Sequence, residues 1–225
     1  MPTKTSASAK LRVFIVDDHP LVRKGIAKCI TDEPDMTLCG EATTTAEALE
    51  GVARTKPDLV LVDISLPGRD GIELTKDLKN AHPKAHVLVL TMHDESLYGQ
   101  RALRAGADGY LMKTVPPSAV IQGIRDVCAG KIVVSPRLRD QMLRCMVGGG
   151  TRAPLQELTD RELQVLRLFG EGRTRGQIAA QLHLSVKTVE THRSNICRKL
   201  GLRNSVELLR YAMDFVRSEA NNSPG

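Results

Sequence analysis

Up to about residue 130, hydrophobic residues fall in short runs, and each run is followed by a stretch with helical spacing. The runs lie at 11–16, 36–40, 59–62, 86–90 and 109–112, and the helical stretches at 20–31, 45–54, 70–80, 96–105 and 117–129. Strands that alternate with helices are typical of a parallel sheet with helices on both faces. The pattern over residues 11–130 therefore predicts a doubly wound α/β domain with five parallel strands.

The second half of the chain has a different pattern. Residues 131–146 show weak helical spacing, and the glycines at 148–150 and Pro154 break any regular element. We interpret residues 131–154 as a flexible linker. From residue 155 to 218 the spacing is helical throughout, which predicts a small all-α domain, and Thr159 with Glu162 forms the sequence signature of a capping box.

Composition supports two domains and a nucleic-acid partner. A chain of 225 residues is long for one small domain. Residues 151–217 hold 12 Lys and Arg against 7 Asp and Glu, so most of the formal charge of +6 lies there. This basic excess suits a polyanion, although a solvated basic surface would have the same composition. The five cysteines lack CxxC spacing, which argues against a disulfide framework or a zinc site. No apolar stretch is long enough to span a membrane, so we expect a soluble, cytoplasmic protein.

Polar residues follow several predicted strands at their carboxyl ends. They are Asp17 and Asp18 after the first strand, Asp63 after the third, Thr91 after the fourth and Lys113 after the fifth. Ligands of an open α/β sheet bind at this edge, so these side chains are expected to converge. Three carboxylates repel one another unless a cation joins them, and Mg²⁺ suits both oxygen ligands and phosphoryl chemistry.

Asp63, on the central strand, is the predicted nucleophile that accepts a phosphoryl group as an aspartyl phosphate. The preceding aspartate pair, Asp63 itself and the backbone carbonyl of Ser65 are the predicted Mg²⁺ ligands. Lys113 is expected to neutralise the phosphoryl oxygens, and Thr91 to donate its hydroxyl to one of them.

Each of these residues also has an ordinary structural explanation. Asp17 and Asp18, followed by His19 and Pro20, can simply cap a helix. Asp63 can be a turn residue at a strand end, the lysine a surface residue and the threonine a β-branched strand residue. It is their joint placement at strand ends that favours a phosphorylation site.

The segments that carry these residues resemble the receiver domain of bacterial two-component response regulators. The resemblance rests on Val16-Asp17-Asp18, Leu61-Val62-Asp63, Leu66-Pro67-Gly68-Arg69-Asp70-Gly71, Leu90-Thr91 and Gly106-Ala107-Asp108-Gly109-Tyr110-Leu111-Met112-Lys113. It implies a flavodoxin-like fold with Asp63 as phosphoacceptor and Lys113 as the phosphate lysine. It also implies that Thr91 and Tyr110 are switch residues, although Tyr110 can be an ordinary strand residue.

Residues 175–182, 183–185 and 186–200 read as helix, tight turn and helix. On a helical wheel, Val189, Ile196 and Leu200 form a narrow apolar stripe, and polar and basic residues fill the opposite side. A major-groove recognition helix requires such a face, although any amphipathic surface helix has a charged side. A final helix is predicted at 205–216.

The segment from Leu158 to Leu202 resembles the LuxR-type DNA-binding domain, which together with the receiver gives the NarL/FixJ architecture. By this analogy Glu190, Thr191 and Ser194 face base edges, and the phosphate contacts fall to Lys187, Thr188, Arg193, Arg198 and Lys199. Arg175 and Gln177 replace the more usual Asn and Glu, and Glu190 replaces a frequent Lys. A glutamate there predicts a C·G pair in each half-site.

The combined resemblance implies a transcription regulator rather than an enzyme. Its partners would be double-stranded DNA, a cognate histidine kinase and, once phosphorylated, a second copy of the chain, without a membrane. Two other interpretations stay open. A phosphatase would need a second acid in a DxD pair with Asp63, but Ile64 and Ser65 follow it. A DNA-binding module with a phosphate-independent first domain would give no response to a phosphodonor.

Overall fold

A computed structural model describes residues 10–67, 69–147 and 154–222. Five strands form one parallel sheet in the order β2-β1-β3-β4-β5. They are β1 (Leu11–Val16), β2 (Met36–Ala42), β3 (Leu59–Val62), β4 (His86–Thr91) and β5 (Gly109–Met112). The predicted fold is confirmed, and the central strand is β3, which leads into Asp63.

Five helices cover the two faces of the sheet, at the places predicted within one or two residues. They are α1 (Pro20–Asp32), α2 (Thr45–Thr55), α3 (Gly71–Ala81), α4 (Glu95–Arg104) and α5 (Pro117–Cys128). Side chains of β1 alternate between the faces: Val13 and Ile15 join one hydrophobic cluster, Phe14 and Val16 another. The inner strands β1, β3 and β4 are buried on both sides over most of their length, which explains their nearly continuous apolar runs.

Much of the predicted linker is a helix, α6 (Pro136–Val147), packed against α4. Leu138 is fully buried there and lies against Gly99, where an added Cβ would stand 2.4 Å from Leu138 Cδ2. Ser135 Oγ also donates to Glu95 Oε1 at 2.6 Å. This part of the chain therefore belongs structurally to the first domain. The predicted glycine break at 148–150 lies outside the described residues.

The second domain is helical, as predicted. A short 3-10 helix (Pro154–Glu157) precedes α7 (Asp160–Gly170), α8 (Arg175–Gln181), α9 (Val186–Leu200) and α10 (Ser205–Asn222). Thr159 and Glu162 form the predicted capping box at the start of α7. The helices α8 and α9 make the expected helix-turn-helix. Nowhere in the described ranges does a helix have the length and apolarity needed to cross a bilayer.

Candidate functional site

The residues predicted at the strand ends do come together at the carboxyl edge of the sheet. Lys113 Nζ lies 2.6 Å from Asp63 Oδ2 and 2.7 Å from Asp17 Oδ2. Both carboxylates are almost fully buried. The parallel register of β1, β3 and β5 thus brings together side chains that are up to 96 positions apart in sequence.

The aspartate pair does not cap α1. The N-cap residue is His19, which makes no capping hydrogen bond through its side chain, and Pro20 is the first helical residue. Instead, Asp17 Oδ1 accepts the backbone N–H of His19 at 2.8 Å, and the remaining oxygen of Asp17 faces Lys113. The capping explanation for this pair therefore does not describe the structure.

The start of α3 holds the segment after Asp63 in place. Asp70 is the N-cap of α3, and its side chain accepts the N–H groups of Ile72 and Glu73. The backbone N–H of Gly71 donates to Ile64 O at 2.9 Å, and a Cβ on Gly71 would stand 2.0 Å from Asp63 O. Only glycine permits this close approach, so Gly71 fixes the position of the strand end that carries Asp63.

Thr91 and Tyr110, the predicted switch pair, are both buried next to His93. The hydroxyl of Tyr110 donates to the carbonyl oxygen of His93 at 2.8 Å, and the backbone N–H of His93 points at Thr91 Oγ1 at 3.5 Å. Tyr110 is 1% exposed, so its ring lies inside the protein. One residue, His93, therefore joins the two predicted switch side chains.

Burial and charge set the protonation of the site. Burial alone would lower the pKa of Lys113, but the negative charges and hydrogen bonds of Asp63 and Asp17 outweigh it and the pKa is raised. Lys113 therefore stays protonated and positively charged at neutral pH. Burial raises the pKa of Tyr110 far above its usual range, so that its hydroxyl keeps its proton and remains a donor.

The same edge has the composition of a divalent cation site. Asp17, Asp18, His19 and Asp63 each offer one ligand atom, and these atoms lie within 4.8 Å of one another. Asp18 Oδ1 is buried and has no aligned hydrogen bond, although His19 Nδ1 lies 2.8 Å away. The site holds three carboxylates, of which Asp17 and Asp63 contact one lysine, so the residues fit a hard cation such as Mg²⁺ in both charge and ligand type.

A contact that the sequence did not reveal links this edge to the second domain. Arg167 of α7 places Nη1 2.6 Å from His93 Nε2, and Ser65 Oγ lies 2.9 Å from the same nitrogen. The backbone N–H of Ser65 in turn donates to Asp63 Oδ1 at 3.2 Å. A chain of polar contacts thus runs from Asp63 to α7.

The first residue of α7, Asp160, is a second point of contact between the domains. Lys76 of α3 and Arg101 of α4 bind its two oxygens at 3.0 and 2.9 Å, and Arg101 also donates to Leu155 O at 2.8 Å. Apolar residues of both domains, including Tyr98 and Leu158, share one hydrophobic cluster. Between the domains lies a cavity of about 520 Å³ that opens beside Asp18 and Ser65.

The polar side of α9 is open to solvent in this arrangement. Its exposed stripe follows helical spacing and consists of Lys187, Thr191, Ser194 and Arg198. Ser185 caps the helix by accepting the N–H of Thr188 at 3.0 Å. The apolar stripe also matches the prediction, since Val189 and Ile196 are fully buried. The receiver therefore contacts the second domain through α7 while it leaves the polar face of α9 exposed.

Three of the predicted DNA-contacting residues form ion pairs within the domain. Glu190 accepts from Arg175 at 2.5 Å and from Arg193 at 2.7 Å. Arg193 also donates to Ser205 Oγ at 2.5 Å. Lys199 Nζ lies 2.6 Å from Glu162 Oε2, in the capping box of α7, and so faces away from the exposed stripe.

Comparisons with known proteins agree with this geometry. A model of the response regulator receiver domain matches residues 13–125, and a model of the bacterial regulatory proteins of the luxR family matches residues 156–212. Oxygen regulatory protein NreC of Staphylococcus aureus (strain JH9) is 35% identical over 210 residues, which cover 90% of this chain and 97% of that protein. The chain belongs to the LuxR-type response regulators.

Solved response regulators have the same architecture. RcsB of Salmonella enterica serovar Typhimurium, bound to promoter rprA with the phosphomimetic BeF₃⁻, is 26% identical with a TM-score of 0.68, over 91% of this chain and 98% of that one. The response regulator ChrA of a heme-sensing two-component system is 33% identical with a TM-score of 0.52, over 92% and 98%. As a two-component response regulator that binds DNA, the chain controls transcription. Its family is one of transcription regulators rather than enzymes.

Proposed function

We propose that Asp63 is the phosphoacceptor and that a cognate histidine kinase, or a small acyl phosphate, is the donor. A carboxylate oxygen of Asp63 attacks phosphorus, the bond from phosphorus to the donor breaks, and the donor leaves with the bonding pair. The observation that carries this proposal is the ion pair of Lys113 with Asp63 at 2.6 Å, in a site that also contains Asp17. Lys113 is positioned to offset the negative charge that develops on the phosphoryl oxygens.

Mg²⁺ is the proposed cofactor, held by Asp17, Asp18, Asp63 and the backbone carbonyl of Ser65. When bound, it supplies positive charge that offsets the negative charge of the phosphoryl group. The carboxylates of this chain would hold it, and Lys113 contacts two of the same carboxylates, those of Asp17 and Asp63. The buried and poorly hydrogen-bonded Asp18 Oδ1 supports this ligand set.

Thr91 and Tyr110 are the proposed switch. After phosphorylation, the Thr91 hydroxyl donates to a phosphoryl oxygen, and the movement disturbs the loop that contains His93. Tyr110 and Arg167 both hold this residue in the resting structure. The contact of α7 with the receiver is then weakened, and the second domain is released.

The proposed DNA surface is the polar face of α9. This face contains the exposed residues Lys187, Thr191, Ser194 and Arg198, with the partly exposed Thr188 beside them, and the hydrogen-bond partners described for their side chains lie within the second domain. Arg193, Lys199 and Glu190 are instead held by partners within the domain. We therefore assign the salt-dependent phosphate contacts mainly to Lys187 and Arg198.

A homodimer is the proposed active form. In α10, Leu208, Ala212 and Phe215 are buried against the domain, whereas Val206, Leu209 and Met213 are exposed at helical spacing. This exposed apolar stripe suits the same stripe of a second copy. A two-fold dimer would read a site made of two half-sites.

The deciding experiment treats the full chain with acetyl phosphate and Mg²⁺, and compares wild type with Asp63→Asn. Asp140→Asn is the control, because Asp140 is an exposed aspartate in the middle of α6 and follows none of the strands. Wild type and control should gain the mass of one phosphoryl group, and Asp63→Asn should gain none. Labelling of Asp63→Asn would overturn the assignment of the acceptor.

DNA binding is then measured with and without BeF₃⁻ and Mg²⁺ at two salt concentrations. We expect tighter binding of the activated wild type and a steep fall in affinity with salt. If the phosphomimetic changes neither oligomer size nor affinity, the first domain is a phosphate-independent interaction module. A shallow dependence on salt would contradict the phosphate contacts assigned to α9.

A further inference from the structure

Two positions that depart from the usual LuxR-type pattern, Arg175 and Glu190, are partners in the structure. Arg175 is the first residue of α8, and its Nη1 donates to Glu190 Oε1 at 2.5 Å, across the helix-turn-helix. The second oxygen of Glu190 accepts from Arg193 Nε at 2.7 Å. The carboxylate of Glu190 on α9 is thus matched by a guanidinium at the start of α8.

This arrangement changes what position 190 presents to DNA. The hydrogen bonds from Arg175 and Arg193 lower the pKa of Glu190, which is therefore ionised. A lone carboxylate in a groove would be repelled by the phosphates, but two guanidiniums and one carboxylate leave a net positive charge. Both carboxylate oxygens already have partners, so Glu190 is poorly placed to act as a base-reading acceptor.

The two arginines differ in the number of their hydrogen-bond partners and in the exposure of their side chains. Arg193 is tied at both ends of its guanidinium, to Glu190 and to Ser205 Oγ, and its side chain is 27% exposed. Arg175 uses only Nη1, and its side chain is 61% exposed. The Nε and Nη2 edge of Arg175 is thus available, and it can donate two parallel hydrogen bonds.

We propose that Arg175 is a specificity-determining residue that reads a guanine in the major groove, and that Glu190 is a positioning residue that holds it. Guanine offers O6 and N7 as two neutral acceptors, which match one edge of a guanidinium. A phosphate would instead bring a second anion next to Glu190. Each half-site should therefore contain a G·C pair chosen by Arg175, rather than a cytosine read by the glutamate. This inference rests on the proposed DNA-binding function.

The test is selection of binding sites from a random DNA library by the full chain with BeF₃⁻ and Mg²⁺. Wild type is compared with Arg175→Ala and Glu190→Gln, and with Arg173→Ala as an exposed control of equal charge two residues earlier. Arg175→Ala should lose the preference for one G·C pair per half-site by at least about fivefold. Glu190→Gln should weaken the same preference less, because its amide oxygen still accepts. Arg173→Ala should keep the selected sequence.

Three results would contradict the proposal, and each has a different meaning. An unchanged selected sequence with Arg175→Ala would remove Arg175 from base recognition. Loss of a C·G pair with Glu190→Gln alone would show that the glutamate reads cytosine itself. If the activated wild type selects no sequence at all, the proposed function fails, and this inference fails with it. Far-UV circular dichroism of each variant shows that the helices are intact.

Discussion

Arg167 of the second domain lies 2.6 Å from His93, two residues beyond Thr91 in the receiver. The ring of His93 also packs against Tyr98, with 4.4 Å between the ring centroids. The DNA-binding domain is therefore held by a residue whose backbone continues directly from the proposed switch. The proposed release of this domain and the proposed rearrangement around Asp63 share this point of contact.

Replacement of Arg167 by Ala should shift the unphosphorylated protein towards separated domains, because only the contacts around Asp160 and the shared hydrophobic cluster then remain among those described. The change removes a hydrogen bond from a charged donor, which is worth about 1.5–3 kcal/mol. Small-angle X-ray scattering should show a larger radius of gyration than for wild type. Arg173→Ala is the control, since Arg173 lines the same interdomain cavity and is exposed. Identical scattering curves for the two variants would show that the Arg167 contact does not hold the domains.

Asp70→Asn should change how stability depends on pH. Burial, with smaller contributions from Glu73 and Asp160, raises the pKa of Asp70 from 3.8 to about 6, against the hydrogen bonds from two backbone N–H groups. The folded state then binds the proton more tightly than the unfolded state. Its free energy of unfolding must therefore fall as pH rises between about 4 and about 6.

The asparagine variant keeps the two capping hydrogen bonds without the charge. Near pH 4 it should be as stable as wild type, and near pH 7 more stable by up to about 3 kcal/mol. Urea denaturation followed by circular dichroism at several pH values measures the difference. Parallel curves for the two proteins would mean that Asp70 has an ordinary pKa in the folded state.

Gly71→Ala should destabilise the receiver and disturb the site. The new methyl group would stand 2.0 Å from the carbonyl oxygen of Asp63, a backbone atom that cannot turn away. Overpacking of this kind costs about 1–3 kcal/mol. Gly25→Ala in α1 is the matched control, because nothing lies within 4 Å of its added Cβ. That variant should gain about 0.5–1 kcal/mol from helix propensity, and thermal unfolding separates the two effects.

Leu138→Ala tests whether α6 is part of the first domain. Leu138 is fully buried, and loss of its side chain should cost about 2–5 kcal/mol. Leu143→Ala, on the same helix but 54% exposed, should cost much less. Thermal denaturation compares the two variants. Equal stabilities would mean that α6 does not contribute to the folded core and acts as the linker predicted from sequence.

The sequence predicts most of the acidic site because each strand end can be recognised from the residues next to it. Residues that end parallel strands meet at one edge, whatever their distance along the chain. That rule is enough to bring Asp17, Asp63 and Lys113 together. It does not find His93, whose side chain has no special position in any strand pattern and whose partner, Arg167, lies 74 residues further on.

The DNA-binding helix shows a similar limit. A helical wheel finds the exposed face of α9, but it treats the helix alone. The partner of Glu190 comes from α8, and the partner of Lys199 is Glu162 of α7. Contacts between helices depend on crossing geometry that periodicity does not contain. For the same reason, the sequence does not predict that α6 packs against α4. The weak helical pattern of α6 does not show that Gly99 leaves space for Leu138.

His93 takes part in several contacts at once: its carbonyl accepts from Tyr110, and its ring contacts Ser65, Arg167 and Tyr98. A displacement of this one residue would break them together, so intermediate states that keep one contact and lose another should be short-lived. We therefore expect single molecules to be either fully locked or fully open. A stronger stimulus would then raise the number of open molecules, while each open molecule would work at the same full strength.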